Sequence, residues 1–172
     1  MNVEEIKQSV LNTFESAGIT LSDFDQGNIE IADFGLGKIE VEGLQLITYI
    51  NNERYCAKDL VLLPGQTCPE HRHPPRRDDQ LGKQETFRCR YGVVYLFVEG
   101  ECKEPKNVLP PEGKEAYYTV KKQITLRPGE QYTIGPNVKH WFIAGESGAI
   151  ISEYSSQSDD SSDIFTDPHV VR

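Results

Sequence analysis

The sequence is poor in the features that would send a chain to a membrane or to nucleic acid. Its apolar runs, such as "LVLL" and "GAII", are far too short to span a bilayer. It carries no basic block: 18 Lys and Arg face 27 Asp and Glu, for a formal net charge of −9. An acidic chain of this kind suits neither nucleic acid nor an anionic membrane surface. The opening residues "MNVEEIKQSV" lack the basic-then-apolar layout of a secretory signal. The cytoplasm is therefore the expected compartment. Cysteine is sparse, and Cys56, Cys68, Cys89 and Cys102 match no zinc-ribbon or C-x-x-C spacing. They are expected to be reduced thiols, with Cys89 and Cys56 acting as small buried hydrophobes.

What remains is enough for a folded core. The chain has 172 residues, 37% hydrophobic and 26% charged, which fits one globular domain. Val3, Ile6, Val10 and Phe14 recur at helical spacing, which predicts a helix over 3–17 with Asn2 and Glu5 as a capping box and Gly18 as the stop. From about residue 28 the texture changes to short strands, expected at 38–41, 44–50, 55–63, 86–98, 116–125, 131–134, 139–143 and 148–155. Frequent Gly and Pro between them argue for an all-β sandwich or closed barrel. The expected division is residues 1–27 as a helix and lead-in packed on the barrel, and 28–172 as the barrel with a C-terminal tail. That tail, "SSQSDDSSDIFTDPHVVR", is polar and reads mostly as loop, with Ile164 and Phe165 as its anchor.

Histidine is scarce too, with four in all, yet His71 and His73 sit one residue apart in "PGQTCPEHRHPPRRDDQLGKQETFRCRYG". In extended backbone, residues i and i+2 face one side, so two imidazoles there make half of a divalent-metal site. Glu85 opens a strand in which Phe87, Cys89, Tyr91, Val93, Tyr95 and Phe97 alternate onto the same face. A carboxylate on an inner face is costly unless paired or bound to metal; a solvated strand start is the plain alternative. Asp78 and Asp79 are the rival carboxylates. His140 begins a later strand that would turn Phe142 inward. Taken singly, each of these residues has an ordinary surface role.

Together they resemble the two motifs of the cupin superfamily. Gly65-x5-His71-x-His73 followed by Glu85-x6-Gly92 is similar to the first, with eleven residues between His73 and Glu85. Gly129-x5-Gly135-x-Asn137-x2-His140 is similar to the second. More closely, "LVLLPGQTCPEHRHPP", "GKQETFRCRYGVVYLFVEGE" and "ISEYSSQSDDSSDIFTDP" resemble the D-lyxose ketol-isomerases. The resemblance implies a cupin-type jelly-roll barrel and interconversion of D-lyxose and D-xylulose, with D-mannose and D-fructose as secondary substrates. It implies manganese held by His71, His73, Glu85 and His140. Such a donor set also suits Co, Ni, Zn or Fe. A homodimer is the expected assembly for a cupin.

Aldose–ketose isomerisation needs a base to shift a proton between C1 and C2 and positive charge to stabilise the enediolate. Glu153, which shares the parity of Ile151, is the candidate base; a strand-end glutamate facing water is the alternative. Lys58 matches the resemblance's second catalytic position as a sugar-binding or proton-donating ammonium, unless it only protects a strand edge. Lys83 ranks below Lys58, and Asp163 and Asp167 are weaker candidates for sugar hydroxyls. Two other functions fit the same ligand pattern: an Fe(II)-dependent cupin dioxygenase, and a non-catalytic sugar-binding module. No helix-turn-helix precedes the barrel to make the latter a DNA-bound sensor.

Overall fold

A computed structural model describes residues 1–75, 81–102 and 108–172. Helix α1, Val3–Ser16, starts where expected: the Asn2 side chain accepts from the Glu5 amide, and the Glu5 carboxylate accepts from the Asn2 amide. Ile6, Val10 and Phe14 are buried, while Val3 stays exposed. Val10 and Phe14 pack with Ile47, Val61 and Ile150 on the outside of the sheet. A short helix α2, Asp23–Gly27, follows under a second capping box from Ser22. It was not expected from the sequence; five residues are too few for a helical period to register.

Nine strands follow among the described residues: β1 Glu30–Ala32, β2 Leu44–Asn51, β3 Cys56–Leu62, β4 Thr67–Arg72, β5 Glu85–Val98, β6 Lys122–Leu126, β7 Gln131–Ile134, β8 His140–Ser155 and β9 Ile164–Phe165. All named strands pair antiparallel. One path runs β1-β2-β3-β8-β4-β9, and β5 joins β8 to β6 and β7. The sheet curls because β8 serves three neighbours. Its C-terminal half pairs with β3, its N-terminal half with β4, and β5 runs along nearly all of it. The interior is filled by side chains such as Leu46, Leu60, Leu62, Phe87, Leu96 and Phe142. This is the all-β jelly-roll barrel that the resemblance implied.

Several strand expectations need correction. The stretch 139–143 and 148–155 is one strand; "GESG" is a bend within it. Residues 38–41 form a turn rather than a strand, and 116–121 contain a one-turn helix before β6 begins. The predicted single inward face of β5 holds only for Glu85, Phe87 and Cys89. Register shifts at Cys89/Tyr91 and Gly92/Val94 change the parity, so Val94, Leu96 and Val98 enter the core instead. Tyr91 packs toward the helix, and Tyr95 and Phe97 join a separate cluster with Trp141. A bulge adds a residue to one strand and flips everything after it. Gly92, at φ 69°, sits in that bend against Gly148, where a Cβ would lie 2.0 Å from the Gly148 carbonyl oxygen.

The tail does not fray. Phe165 pairs with His71 and Ile164 with Arg72, so β9 extends the sheet beside β4. The buried Glu70 carboxylate accepts from the Thr166 hydroxyl and from the Thr119 and Val120 amides, fastening tail and β6 lead-in to the same strand. No helix among the described residues is long and apolar enough to cross a membrane. Cys56, Cys68 and Cys89 are buried free thiols, as expected for two of them.

Candidate metal centre and active site

β4 carries His71 and delivers His73 one step past its end. His140, the first residue of β8, is the direct cross-strand partner of His71. The ring centroids of His71 and His140 are 4.3 Å apart, and those of His71 and His73 4.9 Å. One nitrogen from each of the three histidines falls within 4.8 Å of the others. Glu85 reaches the same point from the start of β5. Its Oε1 lies 2.9 Å from His140 Nε2 and 3.2 Å from His73 Nε2. The four residues named from the sequence therefore converge. Asp78 and Asp79 lie outside the described residues.

The hydrogen bonds around the rings fix which nitrogen is free. His71 Nδ1 lies 2.7 Å from the Pro69 carbonyl and His140 Nδ1 2.9 Å from that of Val138. A carbonyl only accepts, so both Nδ1 atoms donate, and Nε2 is the nitrogen of each ring left to face the cluster. His73 Nδ1 is 2.5 Å from Asp163 Oδ1. All three rings are thus oriented from behind by backbone or carboxylate, as metal-ligating histidines are. His140 Nε2 is buried without a hydrogen-bond partner, although a carboxylate oxygen sits 2.9 Å away. An imidazole nitrogen and a carboxylate oxygen that face each other among buried groups suit a cation between them. The donor set, three imidazoles and a carboxylate, fits a divalent ion.

Electrostatics agree. Burial, with His140 and His73 nearby, holds the His71 imidazole well below its ordinary value and hence neutral. Burial pushes Glu85 up, but Lys83, His73 and His140 outweigh it and hold the carboxyl well below the usual range. Burial pulls His73 down, yet Glu85 and Asp163 raise it to about 9. A cation bound there competes with that proton.

Glu153 is buried, and it shares the inner face with Ile151 while Tyr154 points to solvent. Its Oε1 accepts from the Ser155 hydroxyl at 2.8 Å and from Lys83 Nζ at 2.6 Å. Lys83 also lies 2.9 Å from Glu85 Oε2. Burial would lower the Lys83 ammonium, but Glu85 and Glu153 raise it and keep it charged. Lys83 thus bridges the metal-capable cluster to Glu153, whereas its place in the sequence ranks it below Lys58. The usable signal was parity: Lys83 stands two residues from Glu85. Lys58 is the cross-strand partner of Glu153 but is bonded elsewhere, to Ser158 Oγ and Asp160, each at 3.1 Å.

His71, His73, Glu85, Lys83, Glu153 and Lys58, but not His140, line one pocket, with about 420 Å³ of atom-free space including its opening to solvent, whose wall also includes Asp160, Asp163, Phe165 and Arg172 from the tail. Asp163 turns out to orient His73, and Asp167 is taken by Lys114 and His169 away from this cavity. No local pattern marks the tail aspartates, because their partners are distant in sequence.

A barrel whose interior gathers three histidines and a carboxylate at one end defines a metal-capable cupin. Solved structures similar to it include the L-ribose isomerase of Cellulomonas parahominis, at TM-score 0.80 and 14% identity over 97% of this chain and 92% of that one. Another is the Acinetobacter sp. DL28 L-ribose isomerase in complex with L-ribose, at TM-score 0.79 and 14% identity, with the same coverage. At that identity the likeness concerns the fold. The sequence carries it further. Residues 20–172 match the D-lyxose isomerase family model, and the chain belongs to that family. It is 61% identical, over 99% of its length and 93% of the relative's, to a D-lyxose/D-mannose isomerase of Thermosediminibacter oceani. It is 57% identical to a D-lyxose ketol-isomerase of Cohnella laeviribosi, over 98% of this chain and 92% of that protein.

Proposed function

We propose that the chain is a metal-dependent aldose–ketose isomerase that interconverts D-lyxose and D-xylulose, with D-mannose and D-fructose as a second pair. The observation that carries this reading is the buried Glu153–Lys83 pair beside the three-histidine cluster in one cavity. Family membership and the names of the relatives support the choice of sugars.

His71, His73, His140 and Glu85 would hold the ion, with Mn(II) the proposed metal and Co, Ni, Zn or Fe compatible with the same donors. Such an ion, when bound, supplies Lewis-acid charge for the oxygens on C1 and C2. Glu153 takes the C2 proton of the aldose as the enediolate forms and returns it to C1, so one carboxylate serves both half-reactions. The O2 proton is lost as the ketone forms, and O1 gains one. Lys83, charged and 2.6 Å from Glu153, compensates the buried carboxylate and is the nearest donor for an oxygen on C1 or C2. Asp163 and the two backbone carbonyls hold the imidazoles in place. No oxidant or reductant is consumed. We further propose that the protein works in the cytoplasm as a homodimer.

With Mn(II) and without oxygen, the purified protein should form D-xylulose from D-lyxose and D-fructose from D-mannose. A chelator should abolish this, and added Mn(II) should restore it. Turnover that requires oxygen would point instead to a dioxygenase, and sugar binding with no ketose formed would point to a binding module.

A further inference from the structure

The polar groups of the cavity fall into two sets, and the reaction as described uses only one. The second set is Lys58, Asp160 and Arg172. Lys58 is almost fully buried, and its ammonium contacts both Asp160 oxygens, at 3.1 and 3.3 Å, and Ser158 Oγ at 3.1 Å. Asp160 also accepts from Ser158 Oγ and from Arg172 at 2.7 Å. The arrangement is built rather than incidental. The Asn51 amide side chain grips the backbone of Ser158 from both sides, donating to its carbonyl and accepting from its N–H, each at 3.0 Å. That places the tail against Lys58. Arg172, itself paired with Glu30, holds the other flank of Asp160.

Lys58 and Glu153 are direct partners on adjacent strands, so their side chains leave the sheet about 5 Å apart at Cβ. Yet Glu153 takes its ammonium from Lys83, not from Lys58. A sugar whose C1 and C2 lie at Glu153 must extend its remaining carbons along the same cavity. We infer that Lys58 and Asp160 form a subsite for the distal hydroxyls of the aldose, those on C4 and C5. The carboxylate accepts from the hydroxyls and the ammonium donates to them, while aromatic groups such as Phe34 and Phe165 face the carbon skeleton. Lys58 is thereby a specificity residue rather than the acid or base. This rests on the isomerase reading and deepens it.

The test compares D-lyxose with D-glyceraldehyde, which has the reacting carbons but no C4 or C5, in the Mn(II)-loaded wild type and in Asp160→Asn and Lys58→Met. Circular dichroism and melting temperature check folding. Each variant should raise KM for D-lyxose about tenfold or more, with kcat within about threefold, and should leave kcat/KM for D-glyceraldehyde within about threefold. A fall in kcat of similar size on both sugars would overturn the inference and make Lys58 part of the chemistry. An unchanged KM for D-lyxose would overturn it as well. Should neither variant fold, the wild type still decides: kcat/KM no more than about threefold higher for D-lyxose than for D-glyceraldehyde leaves no room for a distal subsite. If the wild type isomerises both sugars alike, the subsite fails and the isomerase reading stands. If it isomerises neither, the isomerase reading falls and the subsite with it.

Discussion

At the scale of single residues, the chemistry depends on charges that would be costly alone. Glu85, Glu153 and Lys83 are all buried, and each is stabilised by another. Removing one partner of such a set leaves an uncompensated charge and destabilises strongly. The informative change is therefore isosteric. Glu153→Gln keeps the shape and the Ser155 contact but cannot take a proton. Its kcat should fall on the order of 10²–10⁴, with metal content and melting temperature near wild type; full activity would remove Glu153 from the role of base. His140→Ala removes the imidazole nitrogen that faces Glu85. Metal bound per chain, measured by atomic spectroscopy after dialysis, should drop, and normal loading would refute the four-ligand arrangement. Of these residues, the sequence made the histidines, Glu85 and Glu153 legible through parity and motif spacing. It gave no sign of the contact between Lys83 and Glu153, because a hydrogen bond to a residue seventy positions away on another strand leaves no local trace.

At the scale of elements, the site rests on a strand and a tail that both read as loop in the sequence. "TCPEHR" is β4, and its proline and charged residues hid a strand whose outward Glu70 is fully used as an acceptor. β9 is two residues long, yet it sets Asp163 behind His73. Asp163→Asn should weaken Mn(II) affinity by about 10–100-fold, read by titration against a competing chelator, while the far side of the barrel stays intact. Unchanged affinity would mean that the ring needs no such support. The bend of β5 and β8 offers a second test. Gly92→Ala would drive a Cβ to 2.0 Å from the Gly148 oxygen at a φ of 69°, a clash with backbone that cannot rotate away. Soluble yield should collapse, or the melting temperature should fall by more than about 10 °C, reflecting a loss of several kcal/mol. Bulges at this bend are also why the inward face of β5 could not be read past Cys89.

Over the whole molecule, the tail closes the cavity through ionic contacts, and these make its docking sensitive to acid. Burial would raise the Asp160 carboxyl, but Lys58, Ser158 and Arg172 outweigh it and hold it below the ordinary range. Lys114 and His169 do the same for Asp167. A depressed carboxylate contributes stability that is fully present above its unfolded value of about 3.9 and is lost as pH falls toward the folded value. Melting temperature should therefore decline below about pH 4, and Asp160→Asn should start lower but decline less steeply over that range. An identical acid slope in the variant would show that the pair does not couple to folding.

The sequence by itself determined the class of the chain and pointed to most of the residues that converge at its candidate site. Alternation and turn residues specify an all-β sandwich or barrel, and a spacing of two in extended backbone places His71 beside His73 and Lys83 beside Glu85, because that parity is a local property. Only the tertiary structure decided that these pairs meet. In the sheet, Glu85 lies opposite Ser155, at the far end of β8 from His140. Closure of the barrel brings their side chains to 2.9 Å. The same closure carries the tail back across the chain to Lys58 and His73. Those contacts join residues as far as 102 positions apart, and no pattern within a strand encodes them.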